Sequence, residues 1–114
     1  MKVEVRRKER RTEMTRVNKQ IELERLIDQA RLQVKAKKGL RDAMRVGVFR
    51  VGNRTFAAID ASNAYEVKGG QLVALTAEEI TKYIRPENMI DASYLFRVLT
   101  DEELSTLTNL FKTL

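Results

Sequence analysis

Residues 45–60 read Arg45-Val46-Gly47-Val48-Phe49-Arg50-Val51-Gly52-Asn53-Arg54-Thr55-Phe56-Ala57-Ala58-Ile59-Asp60. Two runs rich in β-branched, aromatic and small apolar residues flank Gly52-Asn53, and both turn residues tolerate positive φ. That pattern predicts a β-hairpin. Folding on the turn sets Val51 opposite Arg54, Phe49 opposite Phe56, Val48 opposite Ala57 and Arg45 opposite Asp60. An aromatic pair and an ion pair directly across the ladder support this register. Paired phenylalanines in a small sheet belong to a core. A base-stacking role requires them to lie exposed beside Arg50 and Arg54.

Downstream, Ser62-Asn63 turns the chain again. Tyr65-Glu66-Val67, Gly69-Gly70 and Gln71-Leu72-Val73-Ala74-Leu75 then read as a second, shorter hairpin. The middle of the chain is therefore an antiparallel meander of three to four strands. The last third is helical. Thr76-Ala77-Glu78-Glu79 matches a capping box, and its helix runs to about Ile84 because Pro86 disfavours helical geometry at Arg85. Ala92 to Leu99 reads as a short helix, and Thr100-Asp101-Glu102-Glu103 is a second capping box. Beyond it Leu104, Leu107, Leu110, Phe111 and Leu114 form one apolar face.

Upstream, Thr12 to Lys38 contains no Gly or Pro and is dominated by helix formers, which predicts a long helix. Gly39 supplies its stop, after Lys35, Lys37 and Lys38, and Leu40 to Met44 adds a further turn. The apolar seam of this helix changes sides. Leu23, Leu26, Ile27, Ala30 and Val34 have the spacing of a helix laid on a core, whereas Met14, Val17 and Ile21 fall on roughly the opposite face. Either the helix bends near Glu22, or its first half docks on something other than its own body. The fold class is thus α+β: a basic arm over residues 1–11, then a single domain over 12–114. That domain comprises the long N-terminal helix, the small meander, and two to three short C-terminal helices covering one face of the sheet.

Composition narrows the chemistry. The 114 residues include no cysteine and no histidine, which removes disulfides, thiolate metal sites and the commonest general base. An apolar share of 43% suits a folded domain rather than a disordered tail. No apolar run approaches the roughly 20 residues of a membrane span. The start of the chain lacks the apolar stretch of a secretory signal, and its glutamates argue against a transit peptide. The cytoplasm is the expected location, with no membrane partner.

Charge is the strongest functional signal. The first 45 residues hold 15 Lys/Arg against 7 Asp/Glu, while the remaining 69 hold 7 against 9. Arg6, Arg7, Lys8, Arg10, Arg11, Arg16 and Lys19 form one cluster, and Lys35, Lys37, Lys38, Arg41 and Arg45 another. Such clusters attract phosphate backbones by releasing condensed counterions, and arginine adds planar bidentate contacts. The expected function is non-enzymatic binding of DNA or RNA, mainly through the backbone. The blander account is a solvated helix surface, with Glu9, Glu13, Glu22, Glu24 and Asp28 pairing locally with the cations. The alternative function is a protein-binding inhibitor, adaptor or assembly protein. In that case Met14, Val17 and Ile21 dock on an acidic protein surface, a nucleoprotein complex or a second copy of the chain. A small, basic, cysteine-free sequence suits a viral or mobile-element protein of this kind.

Catalysis finds little footing. Asp60 with Glu66-Val67-Lys68 has the outline of a metal-holding carboxylate and E-x-K group. The two carboxylates stand too close in sequence for that arrangement, and pairing of Asp60 with Arg45 accounts for it more simply, leaving Glu66 and Lys68 to face solvent. Gly69-Gly70 lacks the spacing of a phosphate loop, and Ser62, Ser93 and Ser105 have no base to activate them. No cofactor is expected.

Overall fold

A computed structural model gives the fold; it describes residues 2–91 and 94–114, and side chains from Val17 onward other than that of Phe96. Helix α1 runs Lys2–Lys38 without interruption, so helix extends through the stretch expected to be a separate arm. At 1.5 Å per residue its 37 residues reach about 55 Å, matching the 54 Å long dimension of the molecule. It stops at Gly39, whose φ of 100° is a conformation side chains oppose. The Gly39 amide still donates to the Lys35 carbonyl at 3.0 Å. The short helix α2, Leu40–Ala43, follows at once.

Four strands come next: β1 Gly47–Val51, β2 Arg54–Ala58, β3 Ala64–Lys68 and β4 Gln71–Ala74. They form one antiparallel meander in chain order. The first hairpin keeps the expected register, with Val51 opposite Arg54, Phe49 opposite Phe56 and Val48 opposite Ala57. Gly52 alone takes positive φ (60°), so the turn belongs to the kind with glycine at its first central position. The ladder ends at Gly47–Ala58, short of Arg45 and Asp60. Their expected ion pair does not form, and Asp60 instead accepts from Lys38 at 3.2 Å.

Helix α3 spans Ala77–Tyr83 and a 3₁₀ turn Pro86–Asn88; α4 spans Leu95–Val98 and α5 Asp101–Lys112. Both capping boxes are present in full, at Thr76/Glu79 and Thr100/Glu103. The expected helix from Ala92 is shorter, and Ala92 and Ser93 lie outside the described residues. After the 3₁₀ turn the chain runs along the outer edge of β1. Ile90 N–H donates to the Val48 carbonyl at 2.8 Å, and Met89 bridges to Phe49, covering an otherwise open edge.

The sheet is covered on both faces, not one. Val48, Ala57 and Val67 pack with Leu23, Ile27 and Ala30 of α1, Leu95 and Leu99, and Leu104, Leu107 and Phe111 of α5. Phe49, Phe56, Ala58 and Ala64 pack on the other face under Ile80 and Ile84. Strands buried on both faces read as continuous apolar runs, and Val46-Gly47-Val48-Phe49 is one. Leu114 falls off the expected apolar face of α5 and is half exposed.

Candidate nucleic-acid interface

The seam on α1 separates as its spacing requires. Leu23, Ile27 and Ala30 are buried against the sheet and α5, while Leu26 and Val34 are partly buried beside them. Across the helix, Val17 is 45% and Ile21 59% exposed. Helix α1 continues unbroken through Glu22, and the exposure of Val17 and Ile21 shows that this second stripe is not packed on the body. Val17 and Ile21 therefore stand on the exposed side of α1; the Met14 side chain lies outside the described residues.

The predicted cations divide. Side chains of Arg6, Arg7, Lys8, Arg10, Arg11 and Arg16 lie outside the described residues. Lys19 is half-buried, and its Nζ donates to Ser105 Oγ at 3.0 Å, tying α1 to α5. Lys38 reaches Asp60. Burial pushes the Asp60 carboxyl up. Hydrogen bonds from the Asn63 side chain, the Ser62 amide and Lys38 outweigh that and hold it below the usual carboxylate range.

Lys35, Lys37, Arg41 and Arg45 are different. All four are exposed, and none has a carboxylate within ion-pair distance among the described residues. They lie within eleven residues of chain around the stop at Gly39, two at the end of α1, Arg41 in α2 and Arg45 in the turn before β1. Lys35 and Lys37 sit in the last turn of α1, where the negative end of the helix dipole favours them.

Three further arginines belong to the body. Arg31 Nε donates to the Val46 carbonyl at 2.8 Å, close enough to β1 that a side chain on Gly47 would stand 3.1 Å from its guanidinium. Arg50 Nη1 donates to the Val98 carbonyl at 3.0 Å, fastening α4 to the hairpin. Arg54 donates to both oxygens of Glu66, at 3.0 and 2.9 Å, and to the Tyr83 hydroxyl at 2.9 Å. Its guanidinium lies over Tyr83 and Phe56, which stack with centroids 4.7 Å apart. The bond from Arg54 outweighs burial and holds the Glu66 carboxyl below its usual range; bonds to Glu66 and Tyr83 push Arg54 up.

These contacts correct two expectations. Glu66 is buried rather than solvent-facing, with both oxygens committed to Arg54. Asp60 is committed to Lys38 and Asn63, so the carboxylates of the D…E-x-K outline serve separate structural pairs. Phe49 and Phe56 are fully buried and offer no surface for stacking a base.

An apolar groove of about 520 Å³ adjoins the basic corner. Leu32, Leu40 and Met44, each at least 60% exposed, line it with Arg31, Lys35 and Met89. In the sequence its signal is faint: Leu32 stands off the core stripe, and Leu40 and Met44 are four apart. Among the described residues no helix is long and apolar enough to cross a membrane. Comparison with known proteins finds no family model, no curated protein and no solved structure that matches the chain.

Proposed function

We propose that this chain is a non-enzymatic nucleic-acid-binding protein that grips the phosphate backbone of DNA or RNA at the corner where α1 ends. Lys35, Lys37, Arg41 and Arg45 make the primary contact, and the cations before Lys19 extend it along α1. One observation carries this reading: the four cations around the end of α1 are exposed and have no carboxylate within ion-pair distance among the described residues, whereas Lys38 and Arg54 are paired. A patch of that kind binds polyanions through counterion release, with little base specificity.

The test is equilibrium binding to duplex and single-stranded oligonucleotides across a salt series. The parent should bind with log K falling as log salt rises. Lys35→Ala/Lys37→Ala/Arg41→Ala should lower the duplex slope by up to roughly 2.7, at about 0.9 per phosphate. An unchanged slope in the triple variant, or a parent that fails to bind in dilute salt, rejects the proposal.

A second reading rests on the exposed apolar residues. Val17 and Ile21 offer a docking stripe for an acidic protein, a nucleoprotein complex or a second copy of the chain. Sedimentation separates the last case. Val17→Asp/Ile21→Asp should convert an associated parent to a monomer, and a monomeric parent rejects self-association through α1.

A further inference from the structure

Basic surface does not end at Arg45. Arg45 lines a notch of about 390 Å³ with Thr81 from α3, and with Ile84, Arg85 and Pro86 just beyond it. Two arginines therefore line one concavity, one from the turn before β1 and the other from just beyond α3. The lining contains no carboxylate. Arg85 is held in extended backbone (φ −124°, ψ 147°) by the proline that follows, which fixes where its side chain leaves the chain. Its Nε meets Glu87 Oε1 at 2.9 Å, but both side chains of that pair are well exposed, so it is weak and open to exchange. Thr81 donates its hydroxyl proton to the Ala77 carbonyl at 3.0 Å and offers none to the notch. Ile84 and Pro86 complete an apolar lining. The cationic residues of the lining are thus both arginines.

Like charges lining one concavity repel each other, and an anion between them removes the repulsion. Guanidinium groups suit phosphate, because their planar donors engage two oxygens at once. We infer that the Arg45–Arg85 notch seats one phosphate group of a polynucleotide backbone, shared by the two arginines. This inference rests on the nucleic-acid reading above and extends the contact from the α1–α2 corner onto α3. It also adds Arg85, which is not among the cations that the sequence clusters single out. A polynucleotide suits the notch better than a free anion. Two exposed guanidiniums make a poor trap for a lone ion, whereas a backbone already held at the neighbouring cations presents its next phosphate at high local concentration.

The test uses labelled duplex across a salt series with the full chain, its fold checked by circular dichroism. Arg45→Ala and Arg85→Ala should each lower the slope of log K against log salt. Because one phosphate is shared, the double variant should lose about 0.9 in total, not twice that. Glu87→Gln, which releases Arg85, should bind at least as tightly as the parent. A double variant with the parent's slope, while Lys35→Ala/Lys37→Ala/Arg41→Ala still loses slope, overturns the seat and leaves the broader reading standing. A loss of about 1.8 in the double variant replaces the shared seat with two separate contacts. A parent that binds no polynucleotide overturns the broader reading, and the seat with it. Inorganic phosphate titrated against the arginine Nε–H resonances resolves the source. Saturable shifts at Arg45 and Arg85 in a parent that ignores polynucleotide assign the notch to the free ion and overturn the inference.

Discussion

Arg54 and Lys37 carry the same charge in the same small protein, yet they stand for two kinds of cation. Arg31, Arg50 and Arg54 point inward and satisfy oxygens that folding would otherwise strand: the carbonyls of Val46 and Val98, and the Glu66 carboxylate. Lys35, Lys37, Arg41 and Arg45 meet solvent. The contrast shows why net charge alone is a poor guide to binding. A cation that completes a buried hydrogen-bond network contributes to stability and is unavailable to a ligand. A cation at a helix end, without a carboxylate, is available and contributes little to the fold. If the two groups really differ, substitutions will sort them by stability in one direction and by ligand affinity in the other.

The largest expected effect on stability is at Arg54. Arg54→Met strips both donors from a buried carboxylate and removes the cation from the Phe56–Tyr83 stack. Removing one partner leaves a buried carboxylate uncompensated, so the urea midpoint should fall further than in the other variants, though by less than for a fully buried pair because the Arg54 side chain is 39% exposed. The salt slope for nucleic acid should not change. Wild-type stability in this variant would collapse the distinction between the two groups.

Acid titration sharpens the same point. The folded-state Glu66 carboxyl lies below its ordinary value of 4.5, mainly through the hydrogen bond from Arg54. Its contribution is therefore fully present above that pH and is lost as pH falls through the depressed folded value. Asp60 shifts the same way from 3.8. Urea midpoints should fall as pH drops below 4.5, and Glu66→Gln, although less stable at neutral pH, should show a shallower acid limb. An equally steep limb in that variant assigns the acid sensitivity to other carboxylates.

Much of this fold is legible in the sequence, and the failures are instructive. The first hairpin's register follows from Gly52-Asn53 and the apolar runs beside it, because turn geometry and side-chain alternation fix pairing locally. Both capping boxes are local too, and both form. The stripe from Leu23 to Val34 declares its burial by spacing alone. What local pattern does not carry is which elements cover which face. Ile80 and Ile84 on the second face follow from the direction in which the chain returns after β4. The Glu66 pair is of the same type. Register places Glu66 opposite Phe56, which leaves Arg54 as its diagonal neighbour on the same face, and only a covered face turns that adjacency into a buried bridge. The site was legible in part: the cluster from Lys35 to Arg45 is plain in the sequence. The capture of Lys38 by Asp60 and Lys19 by Ser105 depends on tertiary neighbours.

A middle-sized effect is expected at Arg50. Arg50→Ala leaves the Val98 carbonyl without its donor and loosens α4 from the first hairpin. One hydrogen bond to a charged donor that remains partly solvated is worth about 1–2 kcal/mol. Amide exchange should report the loss locally, with protection falling at Leu99, whose N–H bonds Leu95 to close α4, before it falls in the strands. Uniform loss across the sheet would place Arg50 in the core network rather than in a peripheral strap.

The smallest stability effect belongs to the corner, and its smallness is what makes it informative. Lys35→Ala/Lys37→Ala/Arg41→Ala removes three charges that touch no carboxylate in the described structure. Exposed substitutions of this kind usually change stability by about 0.5 kcal/mol or less. Two terms oppose each other here. Removing Lys35 and Lys37 forfeits their attraction to the α1 dipole, about 0.3–1 kcal/mol each at most, while relief of repulsion among neighbouring cations returns a similar amount. Added salt screens both terms, so the small net difference between parent and variant should shrink further as salt rises. Unfolding of the two proteins should then coincide in high salt, while their nucleic-acid affinities differ most in low salt. If the variant instead proves markedly less stable at every salt concentration, the corner cations are structural after all, and the boundary between the two groups of cations falls elsewhere.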